Sequence, residues 1–226
     1  MYKFIYFTII LIVIFIISLL LNKLRQKTTN ELEKILYIQN DPKLYLELLK
    51  NPRLKILYKK SSLLQFQLDA YLLLGDDFKI ENIIKLLDIM IMTKGETLEY
   101  NLKKLSYYCS QAKKDKAQVA FNKIEDILSK VKGHQAQFIH KESKIIFDIY
   151  IRHDTKLIKE LEQLQANQEG IVRGLTLYRL AKLSYFDKNS KKTQSYLLQA
   201  KELLDNTVWF YIVEEALKDM SVLNYK

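Results

Sequence analysis

The apolar positions of this chain fall first into one continuous run and then into a series of helix-spaced stripes. Over residues 4–21 only Thr8 and Ser18 are polar. Beyond that run, apolar residues recur at i, i+3, i+4 and i+7, the spacing of one buried helix face. Ile80, Ile83, Ile84, Leu87, Met90 and Ile91 trace one stripe, and Ala117, Ala120, Phe121, Ile124, Ile127, Leu128 and Val131 a second. Leu157, Leu161 and Leu164 continue the theme, as do Thr193, Tyr196, Leu197, Ala200, Leu203 and Leu204. Ahead of each stripe the pattern predicts another helix, over 62–74, 97–112, 135–152 and 171–186. Short polar turns separate the members of each pair: Gly75-Asp76-Asp77, Lys113-Lys114-Asp115, His153-Asp154 and Asp187-Lys188-Asn189-Ser190.

The pairs repeat. Gly95, Gly133 and Gly170 fall 38 and 37 residues apart, and Thr207 follows after another 37. Glycine there reads as the left-handed residue just past a helix end. Two apolar columns keep a spacing of 37: Leu87, Ile124, Leu161, Leu198, and Leu72, Cys109, Ile146, Leu183. The last block is offset, with its face running through Leu197 and Ala200, which fits two extra residues in its turn. Units of this kind bury their faces only by stacking, so an elongated solenoid is expected.

Leu180 and Ala181 followed by Thr193, Leu197 and Ala200, and Ala117 with Phe121 in the second block, set small residues where two paired helices cross. In this the chain resembles the tetratricopeptide repeats over roughly 59–226, as four units and a final helix. The period is 37 against about 34 in that family, and its proline near each repeat end is absent, so HEAT-type repeats stay open. The fold class expected is all-α: a single transmembrane helix, then an α-solenoid of about four such pairs and a C-terminal capping helix. The expected divisions are 1–22 as anchor, 23–58 as a helical connector and 59–226 as the repeat domain.

The ends follow from local signals. Asp41-Pro42 and Asn51-Pro52 each place a capping residue before a proline at the first helical position. A short helix is expected over 30–39, and a closing one over 208–225 with Val208, Tyr211, Ile212, Glu215 and Ala216 near one face and Trp209 covering the last groove. The run over 4–21, with Phe4, Ile10, Phe15 and Leu21 along it, would span roughly 27 Å as a helix, close to a hydrocarbon core of about 30 Å. It lacks the small-residue cleavage site of a signal peptide. Lys23, Arg25, Lys27 and Lys34 outnumber Lys3 across it, which predicts a single-pass protein of the cell membrane, bound to the bilayer by this helix, with a cytoplasmic C-terminal domain.

Charge and chemistry change the picture little. The net charge is +10, yet of 36 basic residues only Arg25, Arg53, Arg152, Arg173 and Arg179 are arginine. Arginine is the better reader of phosphates and bases, so its scarcity argues against nucleic acid. The lone Cys109 can form no disulfide within the chain. His134, His140 and His153 show no metal-ligand spacing, and no phosphate loop or nucleophile elbow occurs. No catalytic residue, metal or cofactor is expected. The resemblance implies a concave groove lined by the first helix of each pair. Gln67, Lys104, Lys141 and Tyr178 occupy equivalent positions there, with Arg179 and Lys182 continuing a ladder suited to an acidic protein or peptide. A membrane-anchored interaction scaffold is the leading expectation. An RNA-binding repeat and an assembly or regulatory subunit of a membrane complex are the alternatives.

Overall fold

A computed structural model describes the backbone of residues 2–205 and 207–224; the side chains of residues 1–14 and of Val208 lie outside the description. Among the described residues the chain is helical throughout, with no strand, and divides into two compact units, Met1–Glu96 and Thr97–Lys226. The expected boundary at residue 59 is not a border between these units, because the connector and the first helix pair share a core.

In the first unit α1 (Tyr2–Glu33) runs on into a π-helical turn, Lys34–Ile38, so the short helix expected over 30–39 begins as the end of α1. α2 (Pro42–Leu48) and α3 (Pro52–Leu57) start on the two expected caps. Asp41 Oδ1 accepts from Leu44 N at 2.9 Å and Asn51 Oδ1 from Arg53 N at 3.0 Å. Leu32 and Leu36 pack with Tyr45, Leu49, Leu54 and Ala70, the last from α4 (Lys60–Leu74). Arg25 Nε donates to Leu57 O at 2.6 Å, and Tyr58 Oη donates to Arg25 O at 2.9 Å. α5 (Asp77–Asp88) buries Ile80, Ile83, Ile84 and Leu87 as its stripe requires, but it stops at Asp88 and leaves Ile89 and Ile91 exposed.

The transmembrane anchor is not supported: among the described residues no helix is long and apolar enough to cross a membrane. Phe4 and Ile10 lie outside the described side chains. Phe15 and Leu21 are exposed on α1, and that helix continues through Lys23, Arg25, Lys27, Glu31 and Glu33.

In the second unit α6 (Lys94–Ser110, from Thr97 on) leads into α7 (Lys114–Leu128), α8 (His134–Phe147) with a π-helical turn Asp148–Arg152, α9 (Leu157–Gln165), α10 (Gly170–Phe186), α11 (Ser190–Leu203) and α12 (Val208–Lys218). A 3-10 turn, Met220–Asn224, follows α12, so the closing helix is shorter than expected. Its buried face runs through Val213 and Ala216, and Tyr211 points to solvent. The helices pack in a repeat-like arrangement. First helices neighbour first helices, as Arg179 of α10 pairs with Glu142 of α8 at 3.7 Å. Second helices neighbour second helices: Glu162 of α9 accepts from Lys192 at 2.9 Å and Tyr196 at 2.6 Å, both on α11. Phe121 stacks on Phe147 at 4.8 Å to join α7 to α8.

Left-handed residues end all four first helices, and only one is glycine: Gly75 (φ 65), Ala112 (φ 50), His153 (φ 53) and Lys188 (φ 58). The glycines that set the period do something else. Gly133 (φ 132) is the residue before α8 and Gly170 (φ 54) the first of α10, while Gly95 sits in the first turn of α6 without a positive φ. Thus the period marks helix starts, not the helix ends first expected.

Gly174 has a different role, letting α10 close on the end of α11. A Cβ there would lie 2.8 Å from Cγ and Cδ2 of the buried Leu204 and 3.1 Å from Leu203 Cβ. Alanine gains about 1 kcal/mol of helix propensity, but overpacking a filled site costs about 1–3 kcal/mol. Gly174→Ala is expected to destabilise by about 1 kcal/mol net and Gly174→Leu by more, read as a lowered urea midpoint.

Candidate functional site

In the second unit α10 carries Tyr178, Arg179 and Lys182. Residues 178 and 182 are one helical turn apart and so share a face. Lys182 is 1% exposed, and its Nζ donates to Leu223 O in the 3-10 turn. The same ammonium lies 4.8 Å from the ring centre of Tyr150 and 5.9 Å from that of Phe186. Burial disfavours a charge, and it lowers the Lys182 pKa to about 8, partly opposed by the nearby Cys109. Asn224 Nδ2 donates to Tyr185 Oη at 3.1 Å, a second tie between that turn and α10.

Around the lysine each group bears the mark of the same dry surroundings. Burial pushes the Cys109 thiol up to about 12, with Lys182 pulling the other way. It pushes Tyr150 up to about 12 and raises Tyr178 further. His153, stacked on Phe186 at 3.6 Å, is held low first by burial, then by the Lys182 charge, against a raising hydrogen bond with Ile149 O. A thiol held protonated in this way is a packing residue and a poor nucleophile. Tyr178 Oη is buried and has no hydrogen-bond partner among the described residues, with Trp209 5.5 Å away ring to ring. What this constellation offers is a buried cation for an oxygen acceptor, beside an unmet hydroxyl.

The residues singled out from sequence are placed unequally. Tyr178, Arg179 and Lys182 come together on α10. Lys141, on α8, is exposed and pairs with Glu160 at 2.7 Å, which holds its pKa up. Lys104 is buried with its Nζ 5.1 Å from the Tyr100 ring centre, and Gln67 is half-buried on α4 in the other unit. Equivalence at 37 residues therefore does not bring equal exposure: Lys141 faces solvent where Tyr178 is covered.

Three contributors went unnoticed in the sequence. Leu223 lies 41 residues from the lysine it serves. Phe138 and Val172 are large apolar residues of first helices that remain 65% and 59% exposed. Phe138 precedes Glu142 by four residues and Val172 precedes Arg179 by seven, so each shares a helix face with its member of the Glu142–Arg179 pair. That spacing was available from sequence. Among the described residues no group of three or more His, Cys, Asp or Glu is placed to hold a metal ion. No family model, no curated protein and no solved structure matches this chain.

Proposed function

We propose that the chain is an interaction scaffold of the tetratricopeptide type, binding a peptide or helical partner along the first-helix face of α8 and α10. The observation that carries this reading is the exposure of Phe138 and Val172 on neighbouring first helices, beside the Glu142–Arg179 and Lys141–Glu160 pairs. Exposed apolar groups rimmed by charges are what a partner helix with spaced apolar anchors covers. The two ion pairs are partly or largely exposed and hold their geometry by at most about 1 kcal/mol. An acidic partner exchanges for Glu142 or Glu160 at little expense, which leaves Arg179 and Lys141 to steer its approach.

Fluorescence polarisation with a panel of labelled acidic, amphipathic helical peptides tests this. Saturable binding is expected, weakened about ten-fold by Phe138→Asp, because a buried aromatic anchor is worth more than the 1.4 kcal/mol that ten-fold represents. Val172→Asp should act in the same direction. Peptides that never saturate, or that bind the two variants as well as the parent chain, contradict the reading.

A further inference from the structure

The residues on α10 best suited to hold a ligand are already covered, and what covers them belongs to this chain. Leu223 is fully buried, its carbonyl oxygen accepts a hydrogen bond from Lys182 Nζ, and Asn224 bonds to Tyr185 one turn further along α10. The covering element is a single 3-10 turn, braced internally by Asp219 Oδ1 accepting from Ser221 N at 2.9 Å and by Asn224 Nδ2 donating to Ser221 O at 3.0 Å. It meets the needs of the face incompletely. Tyr178 Oη is buried without a partner among the described residues, although a buried hydroxyl ordinarily finds one. Arg179 and Lys182 put two cations three residues apart on α10, and Arg179 pairs with Glu142 of the neighbouring first helix α8.

We propose that the turn Met220–Asn224 is a built-in occupant of the ligand face of α10, displaced when a peptide carboxylate takes the place of the Leu223 carbonyl at Lys182. This rests on the docking reading above and adds its regulation: the free chain is self-occupied, and the affinity seen by a partner is reduced by the fraction of time the turn is seated. A carboxylate accepts from an ammonium more strongly than a neutral carbonyl does, and a bound peptide brings further polar groups for Tyr178 Oη. Among the described residues the turn is tied to α10 by the Lys182–Leu223 and Asn224–Tyr185 bonds and the Leu223 side chain, and a single 3-10 turn opens more readily than the core helix α10.

Hydrogen exchange of the full-length chain, followed by mass spectrometry, reads the displacement. Amides of residues 220–224 are expected to exchange at least ten-fold faster than those of 180–183, and faster again when a binding acidic peptide is added. Equal protection of the two segments, or protection of the turn unchanged or increased by the peptide, overturns the proposal. If a peptide binds and the turn does not respond, the occupant idea fails while the docking reading stands. If no acidic peptide binds, the docking reading fails, and a second measurement still decides. Leu223→Ser should then raise acylation of Lys182 by an N-hydroxysuccinimide ester at least ten-fold with α-helical circular dichroism unchanged, and unaltered labelling overturns the proposal.

Discussion

Leu197→Ala is expected to lower the stability of the second unit by about 2–5 kcal/mol, the range for emptying a filled core site. Its neighbour Leu198→Ala should change stability by less than about 0.5 kcal/mol, as surface substitutions do. The contrast is sharp because strict register singles out the wrong residue. Leu87, Ile124 and Leu161 are buried and lie 37 residues apart, and the next residue in that column is Leu198. Yet Leu198 is 50% exposed and Leu197 is 0% exposed, packed with Leu161, Leu177 and Leu180. The slip arises because Leu183 and Thr193 lie ten residues apart, against eight from Leu72 to Ile80 and from Cys109 to Ala117, and α11 starts where Asn189 Oδ1 accepts from Lys192 N at 3.1 Å. Trp209, the one tryptophan, lies in this unit, so its fluorescence in a urea titration reports the relevant unfolding. Equal losses at both positions would restore the unbroken register.

Lys182→Met is expected to stabilise the same unit by about 2 kcal/mol at pH 7 and to remove a rise in stability above pH 8. The folded-state pKa near 8 lies below the ordinary 10.5, a difference of about 3 kcal/mol at 1.36 kcal/mol per unit. Below pH 8 the lysine is charged in both states, and burying that charge opposes folding in full. Between pH 8 and 10.5 the unfolded chain binds the extra proton, so stability increases with pH. Methionine has a similar shape and no charge, but it forfeits the bond to Leu223 O, worth about 1 kcal/mol. Four groups of this unit bound the window from above. Cys109, raised from 9.0 to about 12, Tyr150 and Tyr196, each raised from 10.0 to about 12, and Tyr178, raised further, lose protons first in the unfolded chain. Stability therefore falls again as pH climbs past 9 to 10, leaving a maximum near pH 9 in the parent chain. Urea midpoints from pH 7 to 10 in both proteins show whether that maximum disappears in the variant.

Helix positions were legible because their signals are local. The stripes at i, i+3, i+4, i+7 and the capping pairs Asp41-Pro42 and Asn51-Pro52 act within one or two turns, and they located the helices from α2 to α12 except for the division between α3 and α4 and the early end of α12 at Lys218. There the helix started by Asn51-Pro52 is cut by Tyr58, extended at φ −123 and ψ 145, whose ring packs on Phe66 and whose hydroxyl reaches α1. The left-handed ends at Ala112, His153 and Lys188 carried no composition signal, since a residue with a Cβ occupies a conformation that glycine usually takes. Met90 and Ile91 extended the α5 stripe in sequence but follow the helix end at Asp88, because periodicity counts residues and cannot see where backbone bonding stops.

The site was legible only in part, for a related reason. Spacing set Tyr178 in a ladder continued by Arg179 and Lys182, but burial of Tyr178 and Lys182 depends on Leu223 and Trp209, which arrive from far along the chain. A lysine that looks solvent-facing by composition can thus end as one of the most enclosed side chains of its unit. The anchor reading failed in the opposite way. It weighed residues 4–21 as an isolated run, whereas α1 carries its helix through Lys23 to Glu33 and engages Arg25 with the backbone of α3.

Photo-crosslinking tests the central claim most directly. With p-benzoylphenylalanine placed in turn at positions 138, 172 and 198, a bound acidic helical peptide is expected to crosslink from 138 and 172. It should not crosslink from 198, an exposed position on α11. Crosslinking from 198 alone, or from all three positions equally, would contradict a partner seated on the first-helix face of α8 and α10.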